Sequence, residues 1–281
     1  MKKSLLINAL LLVLVLGLGA FLYFKPKPEE PKPTEYKLST QKPEEIKRIE
    51  VALRKGDPVV LELEGEQWFL TKPFRARADN FEARRLADLV RAVSDQKLPA
   101  TDLSRFELEP PFATVVLDRQ TFTFGTINRM MKMQYVMTGD SVYMVNPQYA
   151  QAIPPQPERM ADNRLWTTPE QQIVGVEMPD FKVEQVDGNW AISPKPLITP
   201  TQDDLNRFID EWKLASGTLT QPMKLKPGNN ATVVRTKEGK AITVHLATRE
   251  GNEWIVLRPD EGLQYHLSRE TARRMFEPSW R

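Results

Sequence analysis

His245 and His266 are the whole imidazole complement of this 281-residue chain, and there is no cysteine. In "AITVHLA", Ile242, Val244 and Leu246 share one strand face and leave His245 on the other. In "LQYHLS", Leu263, Tyr265 and Leu267 do the same to His266. On neighbouring strands, with a carboxylate such as Glu253, the two imidazoles could hold a metal ion. Two ordinary surface histidines are the preferred reading. Met130, Met131, Met133 and Met137 lie in "RMMKMQYVM". Clustered thioethers suit Cu(I), yet methionine is equally a flexible core filler. Without cysteine there are no disulfides, thiolate zinc sites or thiol nucleophiles. No His-Glu-x-x-His, Gly-x-Ser-x-Gly or phosphate-loop pattern occurs. No catalytic, cofactor-binding or metal residue is therefore assigned.

Binding chemistry has more material. Arg75, Arg77, Arg84, Arg85 and Arg91 surround one segment and could meet an acidic protein, a phosphate-bearing glycan or lipid headgroups. Asp79, Glu82, Asp88 and Asp95 lie among them, as on a solvated mixed-charge face. Trp68 and Trp190 sit in two similar phrases, "EGEQWFLTKP" and "DGNWAISPKP". Exposed, they would stack on a sugar or anchor a partner; buried, they would close a core. These seven residues are the candidate partner-binding set. A formal net charge of +2 is too balanced to indicate a nucleic-acid partner.

The elements that must position these residues follow from periodicity. "IKRIEVAL" and "VVLELEGEQWFLT" alternate as strands, with a turn at Gly65-Glu66. Asp79 or Asn80 can cap a helix over Phe81–Ser94 that buries Leu86, Leu89, Val90 and Val93. "ATVVLD", "TFTFGT", "MQYVM" and "SVYMVN" read as strands, with turns at Asp118-Arg119-Gln120 and Thr138-Gly139-Asp140. The order then recurs. "QQIVGVEM" and "FKVEQVDGNWAIS" are strand-like, and Thr201 or Asp203 can cap a helix over Leu205–Ala215. A shift of about 120 residues aligns Trp68 with Trp190, Leu86 with Phe208, Val90 with Trp212 and Tyr143 with Tyr265. It also brings Ala113-Thr114-Val115-Val116 near Ala231-Thr232-Val233-Val234. The expected fold is α+β: two tandem repeats of mainly antiparallel sheet with one main helix each, 37–150 and 170–281, joined by a proline-rich connector at 151–169.

The N-terminus reads differently. Met1 to Ser4 precede an apolar run from Leu5 to Phe24, long enough at ~1.5 Å per residue to cross a bilayer. Residues 1–24 are thus expected to be a tail and transmembrane helix, with the lipid bilayer as partner of residues 5–24. A cleaved signal peptide is the rival reading, though Phe21-Leu22-Tyr23-Phe24 extends the run past the small residues. "KPKPEEPKPTE" makes 25–36 an extended spacer. Lys2 and Lys3 favour an inside N-terminus, which places residues 25–281 in the periplasm of a single-pass inner-membrane protein.

"IKRIEV", "LEGEQWFLTKPFRARAD" before an amphipathic helix, "FELEPPFATVVL" and "QYVMTGDSVYMV" together resemble an uncharacterised bacterial domain-of-unknown-function family. That family occurs in membrane-anchored envelope proteins and in auxiliary components of gliding-motility-type ABC transporters. Phe106-Glu107-Leu108 stands where the family more often has a glycine-leucine pair. The resemblance carries over no catalytic residues. The missing catalytic constellations, beside an anchor, a spacer and duplicated sheet domains, point to a non-enzymatic interaction or scaffold component of the envelope with an envelope protein as partner, and the resemblance adds a transporter protein as candidate partner. A periplasmic glycan- or peptide-binding module, using a groove between the repeats, is one alternative. An envelope hydrolase or metal-binding protein is the other.

Overall fold

The computed structural model describes residues 11–21, 34–248 and 254–280. Its first half runs β1 (Tyr36–Lys37), β2 (Arg48–Leu53), β3 (Val59–Glu64), β4 (Gln67–Lys72), β5 (Ala76–Arg77), α1 (Asn80–Ala87), β6 (Val93–Ser94), β7 (Lys97–Pro99), β8 (Ala113–Leu117), β9 (Gln120–Asn128), β10 (Met133–Thr138) and β11 (Ser141–Val145). The second runs β12 (Ile173–Glu177), β13 (Lys182–Val186), β14 (Asn189–Ser193), α2 (Gln202–Lys213), β15 (Leu219–Pro222), β16 (Ala231–Thr236), β17 (Ala241–Thr248), β18 (Trp254–Arg258), β19 (Leu263–Leu267) and α3 (Arg269–Phe276).

The first sheet has the order β5-β4-β3-β2-β8-β9-β10-β11-β7 and the second β14-β13-β12-β16-β17-β18-β19-β15. Apart from β5, the two orders coincide strand for strand. Every described ladder is antiparallel. The fold is therefore α+β, with two antiparallel sheets in a repeat-like arrangement. Each sheet buries one face. Ile49, Val51, Val115, Phe122 and Phe124 meet Leu86, Leu89 and Val90 in the first core. Val176, Val183, Val234 and Val256 meet Leu205, Phe208, Ile209 and Trp212 in the second. Both sheets belong to one compact unit, Tyr36–Arg281.

The tryptophan phrases share one local device. Each hairpin turns in two residues, at Gly65-Glu66 and Asp187-Gly188, with positive φ at Gly65, Asp187 and Gly188. Trp68 then faces Leu63, and Trp190 faces Gln185. The backbone N–H of each tryptophan donates to an amide side chain twelve residues on, Asn80 Oδ1 (2.8 Å) and Gln202 Oε1 (3.1 Å). Both amides occupy the first helical position. The residue before each helix caps it. Asp79 accepts from the Phe81 and Glu82 amides, and Thr201 forms a capping box with Asp204.

Several expectations need correction. The helix expected over Phe81–Ser94 ends at Ala87, followed by a 3₁₀ turn at Asp88–Arg91. Ser94 instead pairs with Tyr36, and its hydroxyl accepts the Met144 amide, so Val93 faces solvent. Strand pairing overrides the helical period there. Tyr36, placed by sequence in the spacer, already belongs to the sheet region. The short far-edge strands β7 and β15 and the capped helix α3 were unforeseen. Among the described residues the second repeat thus has two helices rather than one, where the first has a single turn at Gln148–Gln151. The shared letters Ala-Thr-Val-Val are out of phase. Ala113 and Val115 point inward, whereas Thr232 and Val234 do.

Of the apolar stretch Leu5–Phe24, residues 11–21 are helical with exposed side chains; the rest lies outside the described residues, as do 25–33 of the spacer. Among the described residues no helix is long and apolar enough to cross a membrane.

Candidate functional site

The five arginines do not form one patch. Arg77 is the exception, because β5 pairs with the edge of β4 and turns its guanidinium inward. Its side chain reaches from the first repeat into the second. Nη2 donates to Arg164 O (2.7 Å) and Tyr265 OH (3.4 Å), and Nη1 to Asp162 Oδ2 (3.2 Å) and Trp166 O (3.5 Å). Nε lies 3.5 Å from Glu261 Oε1. Backbone bonds fasten the same seam: Asp162 N to Arg77 O and Asp79 N to Met160 O, both 2.8 Å. Beside it Arg258, 1% exposed, stacks on Trp166 and pairs with Asp260, Glu261 and Glu170. Tyr265 OH donates to Glu261 (2.5 Å).

Burial works against the charge on Arg258. The Asp260 hydrogen bond and the Glu261, Asp260 and Glu170 charges outweigh it and raise the guanidinium pKa. Burial, then the Glu261 charge, pushes the Tyr265 phenol up. Desolvation of Glu170 is overcome by the Thr167 backbone and by Arg258, so its carboxyl is lowered. The seam is a buried ionic joint in which Arg77 Nε makes no hydrogen bond and has Glu261 as its charge partner at 3.5 Å. The expected groove between the repeats is, at Arg77, filled with side chains.

The other arginines stay at the surface. Arg75 pairs with Glu64 and lies over Phe69, Arg85 pairs with Glu82, and Arg91 pairs with Glu44 and Asp88. Arg84 is exposed, with no ion-pair partner among the described residues. Trp68 is 3% exposed and belongs to the first core. Trp190 is half-buried against the second, with Lys213 Nζ 5.9 Å from its ring centroid. His245 and His266 do not meet on adjacent strands, since β18 lies between β17 and β19. His245 Nδ1 contacts Gly228 O and His266 Nε2 contacts Gln221 Nε2. Glu253 lies outside the described residues. Among the described residues no three His, Asp or Glu side chains converge as a metal site. The methionines also disperse. Met133 and Met137 are four residues apart on β10, about 13 Å. Met137 packs under Phe106, while Met130 and Met131 project into solvent.

One concavity was not anticipated from the sequence. It is a groove of about 820 Å³ between α2 and α3, with Phe208 and Trp280 as its floor, 5.4 Å apart edge to face. Phe181, Trp212 and Phe276 extend that aromatic cluster below. The amphipathic "SRETARRMF" after the last strand was the signal: Ser268 caps it, and Ala272, Met275 and Phe276 form its buried stripe. The rim carries Arg207, Arg269, Arg273 and Arg274 against Asp204, Glu211, Glu270 and Glu277. Arg274 bridges the helices to Glu211 (3.2 Å), and Arg207 pairs with Asp204 (2.5 Å). Thr201, through its hydroxyl and then its backbone N–H, and next Arg207, hold the Asp204 carboxyl down at about 2.

The pattern of the Domain of unknown function (DUF4340) matches residues 68–211, half of the chain. The chain belongs to this family. The matched stretch opens at Trp68, passes through Arg77 and the Asp162–Trp166 seam, and ends on α2 at Glu211. It therefore straddles both sheets. In this DUF4340 protein the first wall of the groove lies within the match and α3 lies beyond it. No curated protein and no solved structure matches the chain.

Proposed function

We propose that this DUF4340 chain is a single-pass inner-membrane protein whose exported part, residues 25–281, acts as a non-enzymatic interaction scaffold of the bacterial envelope, with a transporter component among its candidate partners. The α2–α3 groove is its partner-binding site. One observation carries the choice of a protein partner. The groove joins an aromatic floor to a rim of four arginines and four acids, in which Arg207, Arg273 and Arg274 pair with the acids at the surface. Exposed pairs contribute little to stability, so a partner's charges can replace them at small cost. Four acids on the rim disfavour a uniformly anionic ligand, and aromatic side chains with arginine are the usual anchors of protein contacts. The seam at Arg77 supports the same reading, since it holds both sheets as one rigid platform. The apolar run Leu5–Phe24 and the likeness to membrane-anchored envelope proteins support the location.

The test is a photo-crosslinking residue in place of Arg273 in native membranes. A discrete adduct lost on Trp280→Ala is expected. Adducts unchanged by Trp280→Ala would refute the groove. A topology reporter fused after Arg281 is expected to be active outside the cytoplasm; cytoplasmic activity would overturn the location. A second reading, a glycan stacked on the aromatic floor, is favoured by Trp280 alone. Quenching of tryptophan fluorescence by soluble envelope glycans, abolished in Trp280→Ala, would select it.

A further inference from the structure

The β9–β10 hairpin differs from the other turns. Gly65-Glu66, Asp118-Arg119, Gly139-Asp140 and Asp187-Gly188 are polar or glycine-bearing, as two-residue turns usually are. The β9–β10 tip reads Arg129-Met130-Met131-Lys132. Met130 is 94% exposed, Met131 50%, and Ile127 just below them 47%. These side chains have not simply been left on a loose loop. Asn128 Oδ1 accepts the amides of both Met130 and Met131 at 3.0 Å, and Asn128 O accepts the amide of Lys132. The Asn128 amide donates to Tyr135 OH (2.7 Å). Tyr135 is braced in turn on Phe106, whose other neighbour is Arg105. The tip is built to hold two thioethers outward between two cations.

We propose that this tip dips into an anionic phospholipid surface: Met130 and Met131 enter the apolar boundary while Arg129 and Lys132 meet lipid phosphates. The charge pattern is complementary to that surface, with apolar side chains at the apex and cations flanking them. The position also fits. Tyr36, where the spacer joins the body, faces Ser94, and Ser94 accepts the Met144 amide. Met144 faces Tyr135, which holds Asn128 of the tip. Steps of about 5 Å between strands and one tyrosine side chain place the tip within roughly 25 Å of Tyr36. Eleven residues, the number between Phe24 and Tyr36, span at most about 34 Å at the ~3.1 Å per residue of a proline-rich chain. A body tethered by that spacer can therefore touch the bilayer with this end. The inference rests on the membrane-anchored reading.

The experiment separates the two. The body 36–281 carries both hydrophobic cores and is tested without residues 1–35. An N-terminal hexahistidine tag attaches it to vesicles containing nickel-chelating lipid, which supplies the tether whatever the natural anchor does. The chain has no cysteine, so Met130→Cys accepts a single environment-sensitive fluorophore. Asp140→Cys, in the turn at the opposite end of β10, is the control. On vesicles with about one quarter phosphatidylglycerol in phosphatidylcholine, blue-shifted and enhanced emission is expected at 130 and not at 140. Replacing Arg129 and Lys132 by glutamine in the 130-labelled protein is expected to weaken the response about fivefold per residue. No change at 130, an equal change at 140, or a response indifferent to those cations would each overturn the proposal. A failed topology reporter on the full chain would overturn the anchor and leave this result standing.

Discussion

Replacing Arg77 by alanine removes the side chain that joins the two repeats. It leaves Asp162, 4% exposed, and Glu261, 20% exposed, facing the space it occupied. Breaking a buried ion pair costs roughly 3–5 kcal/mol, because the remaining charge is uncompensated. Here the low end applies. Asp162 keeps Arg164 at 2.7 Å, and Glu261 keeps Tyr265 OH at 2.5 Å and Arg258 at 3.7 Å. The carbonyls of Arg164 and Trp166 lose a donor as well. A loss of about 3–4 kcal/mol follows, which for a body of this size lowers Tm by roughly 6–16 °C. Arg85→Ala, in a half-exposed pair within one helical turn, is expected to stay within about 0.5 kcal/mol. Calorimetry on the body measures both. Arg77→Met restores apolar volume and still strands the carboxylates, so it is expected to recover little until Asp162→Asn is added. Equal losses for Arg77→Ala and Arg85→Ala would refute the seam and return Arg77 to the surface patch.

The twin tryptophans are expected to separate in urea unfolding. Trp68→Ala costs about 3–5 kcal/mol from a filled core, and the half-exposed Trp190 about half that; equal losses would deny the difference in burial. Gly125→Ala would put a Cβ 2.1 Å from Phe106 O and 3.0 Å from Leu108 Cγ, so a loss of about 1–3 kcal/mol is expected, read from the denaturation midpoint. The Asp204 carboxyl, held at about 2, contributes its capping-box stabilisation above the ordinary carboxylate range near 4. That contribution is lost as pH falls through about 2, and Asp204→Asn is expected to flatten the stability profile over this window.

Much of the fold was legible because its determinants are local. The tight hairpins, the caps at Asp79 and Thr201, and the stripe Leu205, Phe208, Ile209 and Trp212 each need a window of a dozen residues. The seam was not, because its partners are remote. Arg77 lies 85 residues from Asp162 and 188 from Tyr265. In the sequence it stands in a run of arginines and looks like them. Its one distinguishing mark is its setting between Ala76 and Ala78, small residues that let β5 lie flat against β4 and the connector; both are buried. Arg258 carries a stronger mark, since it closes the run Trp254 to Leu257, where a solvated arginine is out of place. The groove needs α3, whose stripe of Ala272, Met275 and Phe276 is itself local.

The letters Ala-Thr-Val-Val show how identity and equivalence part company. In the first sheet Leu117 faces Ile49, which faces Leu61 of β3. In the second, Val234 faces Val176, which faces Val183 of β13. Leu61 and Val183 hold the same place, each seven residues before its tryptophan, a shift of 122, and Leu63 faces Trp68 as Gln185 faces Trp190. Leu117 therefore corresponds to Val234, a shift of 117, whereas the matching letters require 118. A slip of one residue turns every side chain of a strand to the other face, so the match in letters cannot be the match in structure. Tyr143 and Tyr265 escape this ambiguity, because they face Val136 and Val256 in the same hairpin. Burial phase and ladder register decide equivalence between the two sheets, and by that measure Arg258 falls on Thr138, while Arg77 lies on β5, which has no partner strand in the second sheet. Thr138 carries no charge, and Arg77 has no counterpart. The ionic seam therefore belongs to the joint between the repeats and is no part of the repeat itself.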